Sequence, residues 1–236
     1  MKLSAPIFIL KQQAKALARK AKIPLHQALD RVANREGFGA WSLLSSSTIS
    51  DRSIARLLAH LVPGDLVLLA ARPRQGKTLL SLGLAVECMK RGCRAAIFTL
   101  EFTRAEIAEC FAVLEENLES FSDRLLINDS DQISAAFSVS ELAAAPAGML
   151  VVIDYLQLLD QKRSSPDLLE QVRELKTFAR ARGLIVVCLS QIDRNYDAED
   201  RLCPDLRDVR LPNPVDLTLF DRACFLHRGE MRVSTT

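Results

Sequence analysis

The chain has 236 residues, of which 49% are hydrophobic and 25% are charged, and its formal net charge is +2 at pH 7. This length and apolar content can bury the core of one sizeable α/β domain with a small appendage, which excludes a chain without a packed core. The apolar run at 5–10 is too short to span a bilayer and leads into a basic helix, so we expect neither a membrane segment nor a signal peptide.

The N-terminal part is predicted to be a small helical segment. Helical spacing covers residues 10–20 and 25–36, and a proline separates the two stretches. A glycine follows the second stretch and is a typical helix stop. We expect Trp41 and Leu43 to pack across this helix pair.

The same segment is basic. Residues 1–45 contain eight Lys or Arg and two acids, a net charge of +6, whereas the rest of the chain contains 23 and 27, a net charge of −4. This asymmetry favours an anionic partner, although a solvated basic hairpin that only packs on the core is an equally good interpretation. The Ser/Thr-rich stretch 45–50 marks a boundary between a basic helical segment at 1–45 and a larger domain at 50–236.

The larger domain opens with a phosphate-binding loop, Ala71-Arg-Pro-Arg-Gln-Gly-Lys-Thr78, placed between an apolar strand at 65–71 and a helix at 77–91. A glycine lets the backbone approach the phosphates, Lys77 reaches the terminal phosphates, and the Thr78 hydroxyl can ligate Mg²⁺. Ala71 stands where the pattern has its first Gly, and a chance match in a strand–helix turn is the alternative. The predicted nucleotide-binding residues are Arg74, Gln75, Gly76, Lys77, Thr78 and Leu79.

Asp154 is the carboxylate expected to orient the metal ion together with Thr78. It ends the apolar strand at 149–154. In many nucleotide hydrolases a Glu follows this Asp and polarises the attacking water, but Tyr155 follows it here. The catalytic base must therefore come from elsewhere in the chain.

Glu101 is the predicted base. It ends the apolar run 95–100 and should emerge at the carboxyl rim of the same parallel sheet, where ligands of open α/β folds bind. The alternative is a carboxylate that caps the next helix. However, Thr103 and Glu106 form a capping box by themselves, which leaves Glu101 for the water-orienting role.

Gln191 follows a further apolar strand at 184–190. A polar residue at this rim can sense the terminal phosphate, and the alternative is a strand-end side chain that only faces water. Strands and helices alternate in the order that gives an α/β fold with a mostly parallel sheet flanked by helices. The predicted strands are 65–71, 94–100, 124–128, 149–154, 184–190 and 223–227, and the helices are 77–91, 104–119, 131–144 and 166–182, the last one capped by Ser165.

Cysteine and histidine usage gives no sign of a metal site. The three histidines are scattered, and the cysteines at 88, 93, 110, 188, 203 and 224 lack the spacing of metal ligands. Several of them fall inside predicted helices or strands. We therefore expect buried, reduced thiols in a cytoplasmic protein.

Five motifs follow one another in the order found in a known family. They are Ala-Ala-Arg-Pro-x-x-Gly-Lys-Thr at 70–78, Phe-Thr-Leu-Glu at 98–101, Ile-Asp-Tyr-Leu-Gln-Leu at 153–158, Leu-Ser-Gln at 189–191 and Asp-Leu-Arg at 205–207. Over about residues 50–230 the chain resembles the motor domain of DnaB-type replicative helicases, a branch of the RecA-like ATPases. Ala71 is common at its position in that family.

The resemblance implies a RecA-like P-loop core that uses ATP and Mg²⁺. It implies catalytic roles for Lys77, for Glu101 on water and for Gln191 as sensor. It further implies a hexamer and contacts with DNA, chiefly single-stranded, through the loops at 160–166 and 193–210. A replication or recombination protein is a further expected partner.

The chain also departs from the family. The stretch between Asp208 and Asp221 is longer and lacks the usual Glu-Ser-Gly, which puts the second DNA loop in doubt. No counterpart of the family's late Lys/Arg finger follows, and Arg222, Arg228 and Arg232 are its candidate replacements. We expect a helicase-related ATP hydrolase that acts on DNA. The alternative is an ATP-dependent regulatory or adaptor protein that binds a replication or recombination partner without unwinding DNA.

Overall fold

The computed structural model describes residues 4–5, 7–46, 51–73, 75–156, 159, 166–193, 196, 203–211, 213, 215–227 and 230–236. Its helices are α1 (Ile7–Ala21), α2 (Leu25–Arg35), α3 (Trp41–Ser46), α4 (Asp51–Leu58), α5 (Lys77–Lys90), α6 (Arg104–Val113), α7 (Ala135–Glu141) and α8 (Leu168–Arg182). Its strands are β1 (Leu66–Ala71), β2 (Ala95–Thr99), β3 (Leu125–Asn128), β4 (Leu150–Asp154), β5 (Ile185–Gln191), β6 (Arg222–His227) and β7 (Glu230–Thr235).

The strands form one sheet in the order β3-β2-β4-β5-β1-β6-β7. All neighbouring pairs are parallel except β6 and β7, which are antiparallel. The predicted α/β fold is therefore confirmed. Because β1, β2, β4 and β5 run in the same direction, their carboxyl ends lie along one edge of the sheet.

The central strands are continuously apolar because both faces of the sheet are covered. Along β1, Val67 and Leu69 face a layer built by α4, α5 and α6. Leu66 and Leu68 belong to the opposite layer, which contains residues of α7 and α8. All six residues of β1 are buried, so this strand is a rigid base for the loop that follows it.

Two predicted helices are too long. The helix predicted at 104–119 ends at Val113, Glu115 adopts a left-handed φ of 60°, and a short 3-10 helix follows at Leu118–Phe121. The Asn117 side chain accepts a hydrogen bond from the backbone N–H of Glu119, and this local bond replaces continued helical bonding. Likewise, the helix predicted at 131–144 is confined to α7, which Ser134 caps by accepting from Phe137 N–H.

The predicted cap of the fourth core helix is also wrong. α8 begins at Leu168, and the cap is Asp167, whose side chain accepts a hydrogen bond from Glu170 N–H. Ser165 lies outside the described residues. The end at Gly183, with a left-handed φ of 64°, agrees with the prediction. Three elements, α3, α4 and the antiparallel strand β7, have no counterpart among the predictions.

The N-terminal helices have a small apolar cluster of their own. α1 and α2 contribute Leu10, Leu29 and Val32, and Trp41 and Leu44 of α3 complete it. Trp41 therefore packs across the helix pair as predicted. The prediction for the second residue is wrong, since Leu44 takes that place.

Leu43 packs instead against the layer that contains α5. In a helix, residues 41 and 44 lie on one face and residue 43 does not, which explains why neighbouring apolar side chains go to different clusters.

Candidate nucleotide site

The phosphate-binding loop joins the end of β1 to the start of α5. Gly76 caps α5 and has a left-handed φ of 88°, which side chains other than glycine adopt at a cost. The first N–H groups of a helix have no intrahelical acceptor and therefore suit an anion. Gln75 donates its backbone N–H to the Arg72 carbonyl at 3.3 Å and closes the turn. Arg74 lies outside the described residues.

Lys77 and Asp154 meet at the carboxyl edge of the sheet. The Lys77 Nζ donates to Asp154 Oδ1 at 3.3 Å, and the Thr78 hydroxyl donates to Asp154 Oδ2 at 3.1 Å. Asp154 is 1% exposed and Lys77 is 8% exposed, so both charges are buried and each compensates the other. The Lys77 Nζ also lies 5.8 Å from the centroid of the Tyr155 ring, a cation–π distance.

Glu101 follows β2 and points at the same ammonium group. Its Oε2 lies 3.5 Å from the Lys77 Nζ. Its backbone N–H donates to Thr99 Oγ1 at 3.1 Å, which fixes the turn after β2. Burial raises the pKa of Glu101 above the usual glutamate value, the Lys77 ammonium opposes that shift, and the Asp154 carboxylate adds to it.

The capping box next to Glu101 is the predicted one. Thr103 accepts from Glu106 N–H at 3.3 Å, and the Glu106 carboxylate accepts from Thr103 N–H at 2.8 Å. Glu101 takes no part in this cap.

A pocket of about 200 Å³ opens beside the loop. Gly76, Lys77, Thr78, Leu79, Glu101 and Gln191 line it, and all of them are sequence-predicted site residues. Four further residues that line the pocket were not among the predicted site residues, namely Leu43, Pro73, Phe102 and Cys110. Pro73 lies within the first motif and Phe102 directly follows the second, so both could have been found from the motifs. Leu43 could not, because it lies 33 residues before Gly76 on a helix that is outside the motifs.

The segment after Gln191 returns to the strand end. Arg210 donates its backbone N–H to the Gln191 carbonyl at 2.7 Å, and Asp193 N–H donates to the Asp208 carbonyl at 2.8 Å. Both ends of the predicted loop 193–210 are thus bonded next to Gln191. Residues 194–195 and 197–202 of that loop, and 160–165 of the other predicted DNA loop, lie outside the described residues.

The candidate replacement arginines are not equivalent. Arg222 is at the start of β6, at the sheet edge opposite to the pocket, and its Nε donates to the buried Asp65 Oδ2 at 2.8 Å. It therefore serves the packing of β1 and β6. Arg232 is exposed on β7, and Arg228 lies outside the described residues.

The residues at this site fit a nucleotide and a magnesium ion. The glycine cap and the start of α5 provide backbone donors for phosphate oxygens, and Lys77 adds a buried positive charge. Thr78 Oγ1 and Asp154 Oδ2 converge at 3.1 Å, and hydroxyl and carboxylate oxygens are the donors that Mg²⁺ prefers.

Other ligand classes find less support in the described part of the chain. It contains no group of three or more His, Cys, Asp or Glu arranged to hold a metal ion. Cys88, Cys110, Cys188 and Cys224 are buried free thiols, and burial raises the pKa of Cys188 to about 12. None of the described helices is long and apolar enough to cross a membrane.

The family model of the DnaB-like helicase C terminal domain matches the chain at residues 51–149 and 114–235. Together the two matches span most of the chain. The chain belongs to this family.

Curated relatives of this DnaB-like chain are replicative helicases. The replicative DNA helicase DnaB of Helicobacter pylori (strain J99 / ATCC 700824) is 26% identical in an alignment of 199 residues that covers 70% of this chain and 40% of the relative. The replicative DNA helicase DnaC of Bacillus subtilis (strain 168) is 28% identical in an alignment of 207 residues that covers 74% of this chain and 45% of the relative. The chain thus spans less than half the length of these relatives.

Solved structures agree on the fold. A DnaB-like replicative helicase, described with its primase interactions, matches with a TM-score of 0.58 and 17% identity over 97% of this chain and 74% of that one. A solved ATPase domain matches with the same TM-score of 0.58 and 24% identity over 71% of this chain and 70% of that one. A KaiC-like protein from Pyrococcus horikoshii OT3 matches with a TM-score of 0.53 and 15% identity over 69% of this chain and 70% of that one.

Proposed function

We propose that this chain binds and hydrolyses ATP in the presence of Mg²⁺ and that hydrolysis acts on DNA or on a DNA-bound partner. One observation carries the hydrolytic part. The buried Lys77 ammonium lies 3.3 Å from the Asp154 carboxylate and 3.5 Å from that of Glu101, beside a glycine-capped helix start. One ammonium group therefore lies within ion-pair distance of a fully buried carboxylate and of a partly exposed one, which is the combination of charges that phosphoryl transfer uses.

The roles follow from the chemistry of each side chain. Lys77 and the backbone N–H groups at the start of α5 bind the phosphates. Gln75 and Gly76 contribute from the loop, and Thr78 and Leu79 from the first turn of α5. Thr78 and Asp154 hold Mg²⁺, which when bound neutralises negative charge on the phosphates. Glu101 orients the attacking water through its carboxylate. Lys77 is paired with two acids here and exchanges them for phosphate oxygens when nucleotide binds.

Gln191 is the proposed link to DNA. Gln191 lines the pocket, and its backbone carbonyl accepts the Arg210 N–H that ends the loop 193–210. Any shift of Gln191 in response to the terminal phosphate moves this anchored loop, as in switches that sense a phosphate. Single-stranded DNA is the proposed ligand of the loop. The relatives are replicative DNA helicases by name, which supports DNA as the class of ligand.

The test separates binding from hydrolysis. Lys77→Ala should lose nucleotide binding. Glu101→Gln should bind MgATP nearly as well as the wild type but turn over at least about a hundredfold more slowly, the scale of a positioned base. Equilibrium binding of a fluorescent ATP analogue and steady-state phosphate release measure the two effects. Glu109→Gln, an exposed glutamate on α6, is the matched control and should change neither.

Near-normal turnover in Glu101→Gln would remove Glu101 from the site. The DNA part has a test of its own, namely the wild-type ATPase rate with and without a single-stranded oligonucleotide. Stimulation supports an enzyme that acts on DNA. An ATPase rate that DNA does not change favours the adaptor role, in which the nucleotide controls binding to a protein partner.

A further inference from the structure

The short helix α3 has two apolar sides that belong to different parts of the molecule. Trp41 is 3% exposed and Leu44 is fully buried in the cluster of the N-terminal helices. The backbone N–H of Trp41 also donates to Asp30 Oδ1 of α2 at 3.0 Å. This side of α3 is therefore held against α1 and α2.

Leu43 lies on the other side of α3. It packs against the layer that contains α5 and lines the same pocket as Lys77 and Glu101. With Phe102 and Cys110 it forms part of the apolar wall of the pocket that Glu101, the carboxylate that we assign to water, also lines. One leucine thus joins the N-terminal cluster to the edge of the nucleotide site.

We propose that Leu43 is a nucleotide-site residue supplied by the N-terminal segment, so that nucleotide binding and the seating of α3 are energetically linked. The proposal rests on the proposed function, because it takes the pocket to be the nucleotide site. Its physical basis is that Trp41 and Leu44 cannot follow a displacement of Leu43 without moving in their own packed cluster. Linkage is reciprocal, so whatever shifts α3 changes nucleotide affinity by the factor with which nucleotide shifts α3.

The chain carries its own reporter for this linkage. Trp41 is the single tryptophan of the sequence and sits two residues from Leu43. We expect a non-hydrolysable ATP analogue with Mg²⁺ to change the Trp41 emission of the full chain in a saturable manner. A directly excited fluorescent nucleotide measures the nucleotide dissociation rate in a separate experiment.

Leu43→Ala should still bind nucleotide, release it about three- to tenfold faster, and lose most of the Trp41 response, since part of a leucine's apolar contact is removed. Leu43→Met keeps the volume and should restore both properties. The matched control is Leu25→Ala, an exposed leucine of the same segment, which should behave like the wild type.

The outcomes separate the two proposals. A wild-type chain that binds no nucleotide contradicts the proposed function. Nucleotide binding without any change in Trp41 emission, and with unchanged release from Leu43→Ala, overturns the role of Leu43 and leaves the proposed function standing. Loss of the Trp41 response in Leu25→Ala as well also overturns it, because the effect would then be general loosening of the segment.

Discussion

At the scale of single residues, the site is organised around the Lys77 ammonium group. Asp154 and Glu101 end different strands, yet their carboxylates lie 3.3 Å and 3.5 Å from the same nitrogen. The two acids have different surroundings, since Asp154 is 1% exposed and hydrogen-bonded to Thr78, whereas the Glu101 side chain is 34% exposed. This difference supports the division into a metal ligand and a water-orienting base.

The raised pKa of Glu101 leads to a prediction for the pH dependence of turnover. Glu101 must be ionised to orient water, and burial raises its pKa, with Lys77 opposing and Asp154 adding to the shift. We therefore expect kcat to increase as the pH rises through a midpoint above the usual glutamate value of about 4.3. Phosphate release at saturating MgATP, measured over a range of pH, follows this acidic limb of the pH profile. Circular dichroism monitors folding over the same range.

Glu101→Gln is the control for that profile. Its residual turnover should lack the limb, because the glutamine does not ionise and any remaining pH dependence belongs to the nucleotide or to other groups. A wild-type midpoint at or below the usual glutamate pKa, or the same limb in Glu101→Gln, would contradict the assignment.

At the scale of elements, α5 connects the phosphate loop to the core. Its helical spacing, its glycine cap and its end before Gly92 follow from local sequence, and the observed bounds agree with the prediction. The end of α6 was less predictable. Its sequence continues with good helix formers such as Leu114 and Glu115, and the helix ends because the Asn117 side chain bonds the backbone of the next turn.

A close approach between α4 and α5 gives a stability prediction. A Cβ added at Gly83 of α5 would lie 2.5 Å from Ile54 Cδ1 and 3.2 Å from Ile54 Cγ1 of α4. Gly83→Ala should lower the free energy of unfolding by about 1–3 kcal/mol through overpacking. In an Ile54→Val background the same substitution should cost less, because Cδ1, the atom that the new Cβ would meet at 2.5 Å, is removed. The gain in helix propensity from alanine, about 1 kcal/mol, is the same in both backgrounds.

Urea denaturation of the four proteins gives this double-mutant cycle. An equal effect of Gly83→Ala in both backgrounds would mean that α4 and α5 are not in contact at these two residues.

At the scale of the whole molecule, charge is unevenly distributed. Residues 1–45 carry a net charge of +6, and Lys15, Arg19 and Lys20 of α1 are exposed. If this segment binds phosphates, replacing the three residues by Gln should weaken binding to single-stranded DNA. It should also reduce the log–log salt slope by about 0.7 for each phosphate that the variant no longer neutralises. Binding titrations at several salt concentrations measure the slope.

The control for this experiment replaces three exposed arginines elsewhere, Arg91, Arg104 and Arg173. They should leave the slope nearly unchanged. An unchanged slope in the α1 variant would mean that the basic segment is structural or binds protein, which is the other interpretation of its charge.

The sequence by itself determined the class of the fold and predicted most of the residues that meet at the candidate site. Apolar runs that end in Glu101, Asp154 and Gln191 predict parallel strands with polar residues at their carboxyl ends, because strand burial and strand polarity are local properties. The predicted phosphate-binding loop is likewise a continuous segment, so its glycine, lysine and threonine can be recognised from their spacing along the chain.

Only the tertiary structure decided which residues meet. The Lys77 ammonium pairs with carboxylates that follow β2 and end β4, two strands that β5 separates from β1. Arg222 pairs with Asp65 at the edge of the sheet away from the pocket. Leu43 is the clearest case. Its helix is apolar on two sides, so periodicity alone allows it to pack on either cluster, and its place in the pocket wall depends on where the N-terminal helices lie against α5.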